Sequence, residues 1–263
     1  MSNQAMRIKT HSSHQGFTLV ELSIVLVIIG LIIGGVLTGQ DLIKAAEVRA
    51  TIGQYEKYNT ALNTFRAKFN GHPGDLPNAV GFDFATKKKI LGHGDGNFLI
   101  EGGAADSTLA VGETVLFWSD LSTANLVDSS FNGTDTATAI TAGTVSQTLP
   151  SAKLGRGNHF TVFSVAGLNY YQIAGVTATD ATGAYTLTNS ITPTEAYNID
   201  TKLDDGLATT GIVQAMASTS ALNTIAPTGA GATFCVTTDL TPNNYNIKNA
   251  ANTPLCQVRM RFN

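Results

Sequence analysis

The stretch HQGFTLVELSIVLVIIGLIIGG, residues 14–35, decides how the rest of the chain is read. After Gly16 it turns apolar and stays so to Gly39, with a single charged residue, Glu21. A helix rises ~1.5 Å per residue and a membrane span needs about 20 apolar residues, so the run from Phe17 to Gly39 is long enough to cross. Gly30, Gly34, Gly35 and Gly39 do not preclude this, because glycine is commoner in membrane helices than in soluble ones. A cleaved secretory signal is the first rival. Its apolar region is shorter, about 7–15 residues, and ends at a small-x-small site. Here the run is followed by QDLIKAAEVRA, which reads as continuing helix. Arg7 and Lys9 precede the span, and the positive-inside rule keeps that end cytoplasmic and sends the bulk of the chain outward. Lys44 and Arg49 on the far side weaken the asymmetry without reversing it.

Glu21 has two readings. In one it is a tolerated carboxylate close enough to the helix start to reach the headgroups. In the other, a carboxylate inside a membrane helix is held for a partner. GFTLVELSIVLVIIG resembles the class III leader and N-terminal helix of type IV pilins and type II secretion pseudopilins. The resemblance rests on Gly16 before Phe17, the FTLVEL run and Glu21 at the fifth position after Gly16, and it covers residues 15 to about 40.

The resemblance implies a mechanism. A prepilin peptidase would cut between Gly16 and Phe17, and the new Phe17 amine would be N-methylated. Glu21 would then face the positive N-terminus of a neighbouring subunit. Opposite charges attract strongly in a low-dielectric setting, and each alone is costly to bury. Such a pair sets register, because a misaligned subunit leaves a bare charge in an apolar fibre core. The partners implied are other pilin subunits, the peptidase and the bacterial inner membrane. The protein would be single-pass with its head in the periplasm, then part of a pilus or pseudopilus fibre.

Beyond Gln40 the pattern becomes amphipathic. Val48, Ile52, Tyr55, Tyr58, Leu62, Phe65 and Phe69 follow helical spacing, with charged and polar residues between them. No proline occurs from Phe17 to His72, and NGHPGDLP (70–77) stops the helix. The aromatic stripe is expected to pack on a head domain, with a coiled-coil partner helix as the alternative. The expected fold is α+β and pilin-like, a long N-terminal helix on an antiparallel β-sheet head. It divides into a leader (1–16), a membrane or fibre-core helix (17–40), an amphipathic helix (41–70) and an extracytoplasmic head (71–263). Thr38 stands where many major pilins carry a proline, and the chain, at 263 residues, is larger than a usual major pilin. Both point to a minor or atypical subunit.

In the head, TVLFWSDLSTANLV (114–127) is expected to be a helix. HFTVFSVAGLNYYQIAGV (159–176) reads as two strands joined near Gly167, and AYTLTNS (184–190) as a third. ATFCVTT and PLCQVRMRF suggest two more, while TAGTVSQTL and STSALNTIAPTGAGA read as loops. In ITPTEAYNIDTKLDDG (191–206), Thr192, Pro193 and Glu195 form a capping box and start signal. Asp200, Asp204 and Asp205 crowd the end of that helix, where carboxylates oppose its dipole. Lys202, another basic group or a Ca²⁺ ion would answer them. Asp95, Asn97 and Glu101 in HGDGNFLIE are a second set of oxygen ligands, with a surface turn as the plainer reading. Outside the cytoplasm Cys235 and Cys256 read as a disulfide, as in the C-terminal region of many pilins, with two buried thiols as the alternative.

Little points to catalysis. There is no G-x-S-x-G elbow, P-loop lysine or H-E-x-x-H helix. His11 and His14 fall in the leader, and His72, His93 and His159 stand apart from one another. Neither an enzyme nor a cofactor is expected beyond the possible Ca²⁺. At a net charge of −3 the chain is a poor general nucleic-acid binder, and TKKKI (86–90) is its only lysine cluster. The expected function is a structural pilus or pseudopilus subunit. The alternative is a pilus-tip binding module, for adhesion or DNA uptake, on the same anchor.

Overall fold

The computed structural model describes residues 16–77, 94–133, 139–216, 222, 233–238 and 244–262. TKKKI, His93 and most of STSALNTIAPTGAGA lie outside them. Helix α1 runs from Leu19 to Phe69, as the unbroken apolar and amphipathic patterns require. Arg66 and Lys68 in its last turn complement the helix dipole. Asn70, left-handed at φ 54, then caps it, donating its N–H to the Arg66 carbonyl at 2.8 Å. His72-Pro73-Gly74-Asp75 closes a turn through Asp75 N–H to His72 O, with Gly74 at φ 82. Proline and a left-handed glycine are the residues a type II turn demands. A Cβ on Gly74 would also sit 2.6 Å from the Glu113 carbonyl oxygen.

The other elements are α2 (Glu113–Thr123), α3 (Val145–Thr148), β1 (Asn158–Val165), β2 (Leu168–Thr179), β3 (Tyr185–Thr188) and α4 (Pro193–Leu203). They are followed by β4 (Val213–Met216), β5 (Val236–Thr237), β6 (Asn244–Tyr245) and β7 (Gln257–Phe262). The main sheet has the order β1-β2-β7-β4, with β3 also paired to β2, and every pairing is antiparallel. β5 and β6 form a separate pair. The β1–β2 hairpin turns at Ala166 (φ 51) and Gly167 (φ 74), two left-handed residues as a type I′ turn needs.

The chain divides into two units, Met1–Ile43 and Lys44–Asn263. In the first, the apolar side chains from Phe17 to Ile43 are exposed, and the helix is long and apolar enough to cross a membrane. In the second, register places Val162, Tyr171 and Met260 side by side on one sheet face, with Phe160, Ile173 and Val258. All are almost fully buried. The stripe of α1 packs there: Tyr58 meets Phe160 at 5.2 Å and Trp118 at 4.9 Å, and Tyr55 meets Tyr171 at 5.7 Å, all near edge-to-face. The aromatic stripe is therefore core within a single chain.

α2 ends earlier than 127, because Asn125 turns left-handed (φ 56) and Ala124 N–H closes on Asp120 O. TAGTVSQTL, expected as a loop, holds the single turn α3. α4 has the expected capping box, and Glu195 also receives Arg156 Nη2 at 2.8 Å. Cys235 and Cys256 are joined as a disulfide, with Cα atoms 5.2 Å apart.

Candidate functional site

α1 begins with a reciprocal cap. Glu21 Oε2 accepts from Thr18 N at 2.8 Å and from Thr18 Oγ1 at 2.9 Å. Thr18 Oγ1 in turn accepts from Glu21 N at 3.2 Å. This is a capping box, T-x-x-E, lying inside the quoted run and legible there from Thr18 and Glu21. Among the described residues Glu21 Oε1 accepts no hydrogen bond. One carboxylate oxygen thus closes the helix, and the other faces outward among exposed apolar side chains. Gly16 and Phe17 lie just before the cap, outside the helix, with Phe17 89% exposed. The bond between them is open to a protease, and the Phe17 nitrogen stands one residue from the Glu21 cap.

The head brings two groups of acids together. Asp75, Asp95 and Glu113 each place a carboxylate oxygen within 4.8 Å of the others, as do Asp200, Asp204 and Asp205. The sequence pointed to the second group and, through Asp95, to part of the first. Asn97 is drawn to Asp95 and Glu101 through its side-chain amide, at 3.1 and 3.5 Å. The acids that share space with Asp95 are instead Asp75 and Glu113, from the turn after α1 and the start of α2. No local pattern marks them, because their nearness is tertiary.

Backbone donors already serve the first group. Asp75, fully buried, accepts from Gly96 N and Phe98 N at 2.7 Å each. Glu113 accepts from Gly94 N and, at 2.9 Å, from Glu101 N. The glycine-rich loop therefore turns its N–H groups, not its carbonyls, toward the acids, and a cation would have to share those oxygens. Burial pushes the Glu113 carboxyl up to about 8 against these donors, with the Asp75 and Asp95 charges adding to the effect.

In the second group, Asp200 is buried and accepts from Tyr245 Oη at 2.8 Å and Gly206 N at 3.0 Å. Asp204 accepts from Ile212 N and Val213 N, and Asp205 from Leu207 N and Thr210 Oγ1. Lys202 is not their partner: among the described residues the ion pairs are Lys57–Asp128 and Arg156–Glu195. These acids fold the 204–213 segment by capping its amides, so nearby basic charge is not needed. Burial raises the Asp200 carboxyl to about 6, opposed by the Tyr245 hydroxyl.

The histidines remain apart. His159 lies on β1 with Nδ1 2.9 Å from Gly157 O. His72 is buried between α1 and the 94–101 loop, its ring edge-to-face with Phe98. Burial, with Arg66 adding, lowers its pKa to about 4, so it is neutral near pH 7.

With this geometry in view, residues 11–37 match the family model for the prokaryotic N-terminal methylation motif, the class III prepilin leader of type IV pilins and pseudopilins. No curated protein and no solved structure matches the chain. The chain thus carries a prepilin-type N-terminus on an α+β, pilin-like architecture. The motif lies at the start of a helix long and apolar enough to cross a membrane, which suggests membrane anchoring.

Proposed function

We propose that the protein is a structural subunit of a type IV pilus or type II secretion pseudopilus. Prepilin peptidase hydrolyses the Gly16–Phe17 bond, and the freed Phe17 amine is N-methylated. Until assembly the subunit waits in the inner membrane with its head in the periplasm. It then enters a helical fibre in which apolar helices 17–40 cover one another.

The observation that carries this reading is Glu21: a carboxylate in the exposed apolar stretch of α1, with one oxygen committed to its own N-cap and the other, among the described residues, without a hydrogen bond. In the fibre that second oxygen receives the methylated Phe17 amine of a neighbour. Burying the apolar faces drives association, and the ion pair fixes the stagger.

Two substitutions separate capping from charge. Glu21→Ala removes both roles. Glu21→Gln keeps a side-chain oxygen that can accept the Thr18 N–H, as glutamine does in capping boxes, but removes the charge. Both variants should be cut at Gly16–Phe17 and remain in the membrane, and both should fail to form fibres by electron microscopy. Normal fibres from Glu21→Gln would show that the carboxylate acts only as a cap and would refute the register role.

A further inference from the structure

The flank of α1 from Ala50 to Tyr58, the segment that follows α2 and the loop at Lys153 enclose a cavity of about 370 Å³. That volume falls within the ~300–1,000 Å³ of typical binding clefts. Assembly through Glu21 makes no use of it.

The floor is built, and one residue in it is costly. Gln54 ties α1 to the loop. Its Nε2 donates to Tyr58 Oη at 2.8 Å and to Ser151 O at 2.9 Å, and its Oε1 accepts from Lys153 N at 3.0 Å. Beside it stands Gly53, in the interior of α1, where glycine is about 1 kcal/mol less favourable than alanine. A Cβ at Gly53 would meet nothing within 4 Å, so no contact inside the chain demands the glycine. Its effect is to leave the cavity open down to the helix backbone, where another chain can approach closely.

The lining narrows the occupant. Ala50, Val127 and Phe131 give apolar walls. The rim carries two ammoniums, Lys57 and Lys153, against one carboxylate, Asp128, a net charge of +1. Lys57 pairs with Asp128, while among the described residues the Lys153 ammonium has no ion-pair partner. An apolar side chain flanked by negative charge would complement such a site. Among the described residues of the head, the exposed large apolar side chains are Phe98, Leu168, Tyr197, Ile212 and Ile247. Phe98 and Leu168 open on a groove lined by Arg66, Tyr197 is turned onto Tyr245, and Ile247 is followed by Lys248. Ile212 differs. The Asp204 carboxylate accepts its N–H, and Asp205 lies beside Asp204, held by Leu207 N and Thr210 Oγ1. Arg261, whose N–H donates to the Ile212 carbonyl at 2.9 Å, offsets one of these charges and leaves a net −1. We propose that Ile212 of one copy seats in the Gly53 cavity of the next, with Asp204 and Asp205 facing Lys57 and Lys153. Knob and cavity belong to different elements, so the contact is heterologous and can repeat along a helical fibre. Its repetition rests on the fibre reading given above; the pairing of the two surfaces does not.

The test uses full chains with one new cysteine each, since both native cysteines are held in the disulfide. Gly53→Cys and Ile212→Cys chains are mixed in dodecylphosphocholine micelles and oxidised, and the same pair is co-expressed and oxidised in isolated fibres. Mass spectrometry should find the 53–212 linked peptides in both, about tenfold or more above a Gly53→Cys and Ile247→Cys mixture. Adding Lys153→Glu to the Gly53→Cys chain should lower the yield about threefold or more, as should 1 M salt, where the screening length is about 3 Å. The linked pair in micelles, from cells that make no fibres, would refute the assembly reading and leave this contact standing. Fibres that lack the pair would overturn the contact and leave assembly through Glu21 intact. The proposal is also overturned if the pair is absent from micelles, is no commoner than the Ile247 control, or is unaffected by both Lys153→Glu and salt.

Discussion

The cross-link between Cys235 and Cys256 offers a stability prediction that the structure can size. The bond closes a sequence separation of 21 residues around β5 and β6. In the chain-entropy account a loop of 21 residues gives about 3 kcal/mol at 25 °C, by restricting the unfolded chain. Both cysteines are buried, so alanine is the cleaner replacement, since serine would bury a hydroxyl. For a domain of this size each kcal/mol moves the melting temperature by about 2–4 °C, so the Cys235→Ala/Cys256→Ala pair should melt about 6–12 °C below wild type. The assay is thermal unfolding of the full chain in micelles, followed by near-ultraviolet circular dichroism, which reports the buried Trp118. Reduced wild type should behave like the double variant. A fall of less than about 2 °C would refute the reasoning. It would mean that the Tyr245–Asp200 bond, the Asn246–Cys235 contact and the Ile191–Cys256 bridge already constrain the loop without the sulfurs.

Stability should also depend on pH in a defined direction. Glu113 is raised from 4.5 to about 8 in the fold, so the folded state holds its proton longer than the unfolded chain, and stability falls as pH rises from about 4.5 to 8. Asp200, raised from 3.8 to about 6, acts in the same sense at lower pH. His72, lowered from 6.5 to about 4, has the opposite effect: its contribution is complete above pH 6.5 and is lost as pH falls toward 4. Above pH 6.5 only the Glu113 fall should remain, with a limiting slope of about 1.4 kcal/mol per pH unit, and denaturant titrations of Glu113→Gln should show it abolished. Glu195→Ala strips a partner from both Thr192 N and Arg156, and should destabilise the head by about 1–3 kcal/mol by urea titration. Trp118→Ala empties the centre of the aromatic cluster and should cost about 3–5 kcal/mol; a loss under 1 kcal/mol would mean that the cluster is not the core.

Much of this architecture is written in the sequence. The helix to Phe69 was legible because nothing between Phe17 and His72 interrupts it, and because its apolar stripe keeps helical spacing. α4 was legible from Thr192-Pro193 with Glu195, and the β1–β2 hairpin from Gly167. What escaped depended on distance along the chain. β4 has only four residues and is defined by β7, more than forty positions later. Asp75 and Glu113 are ordinary surface residues by pattern, and only the turn at Pro73-Gly74 brings them together. Asp200, Asp204 and Asp205 come together as their spacing suggests, but their partners are backbone amides and a tyrosine hydroxyl, which leave no charge pattern to read. At Glu21 the cap with Thr18 is local and is written in the sequence as T-x-x-E.

Assembly through Glu21 requires processing at the Gly16–Phe17 bond. Mass spectrometry of the protein isolated from its own cell envelope measures this directly. The predicted N-terminal peptide begins at Phe17 and carries one methyl group on its amine, with residues 1–16 gone. An N-terminal peptide still containing Arg7 and Lys9 in assembled material would contradict it.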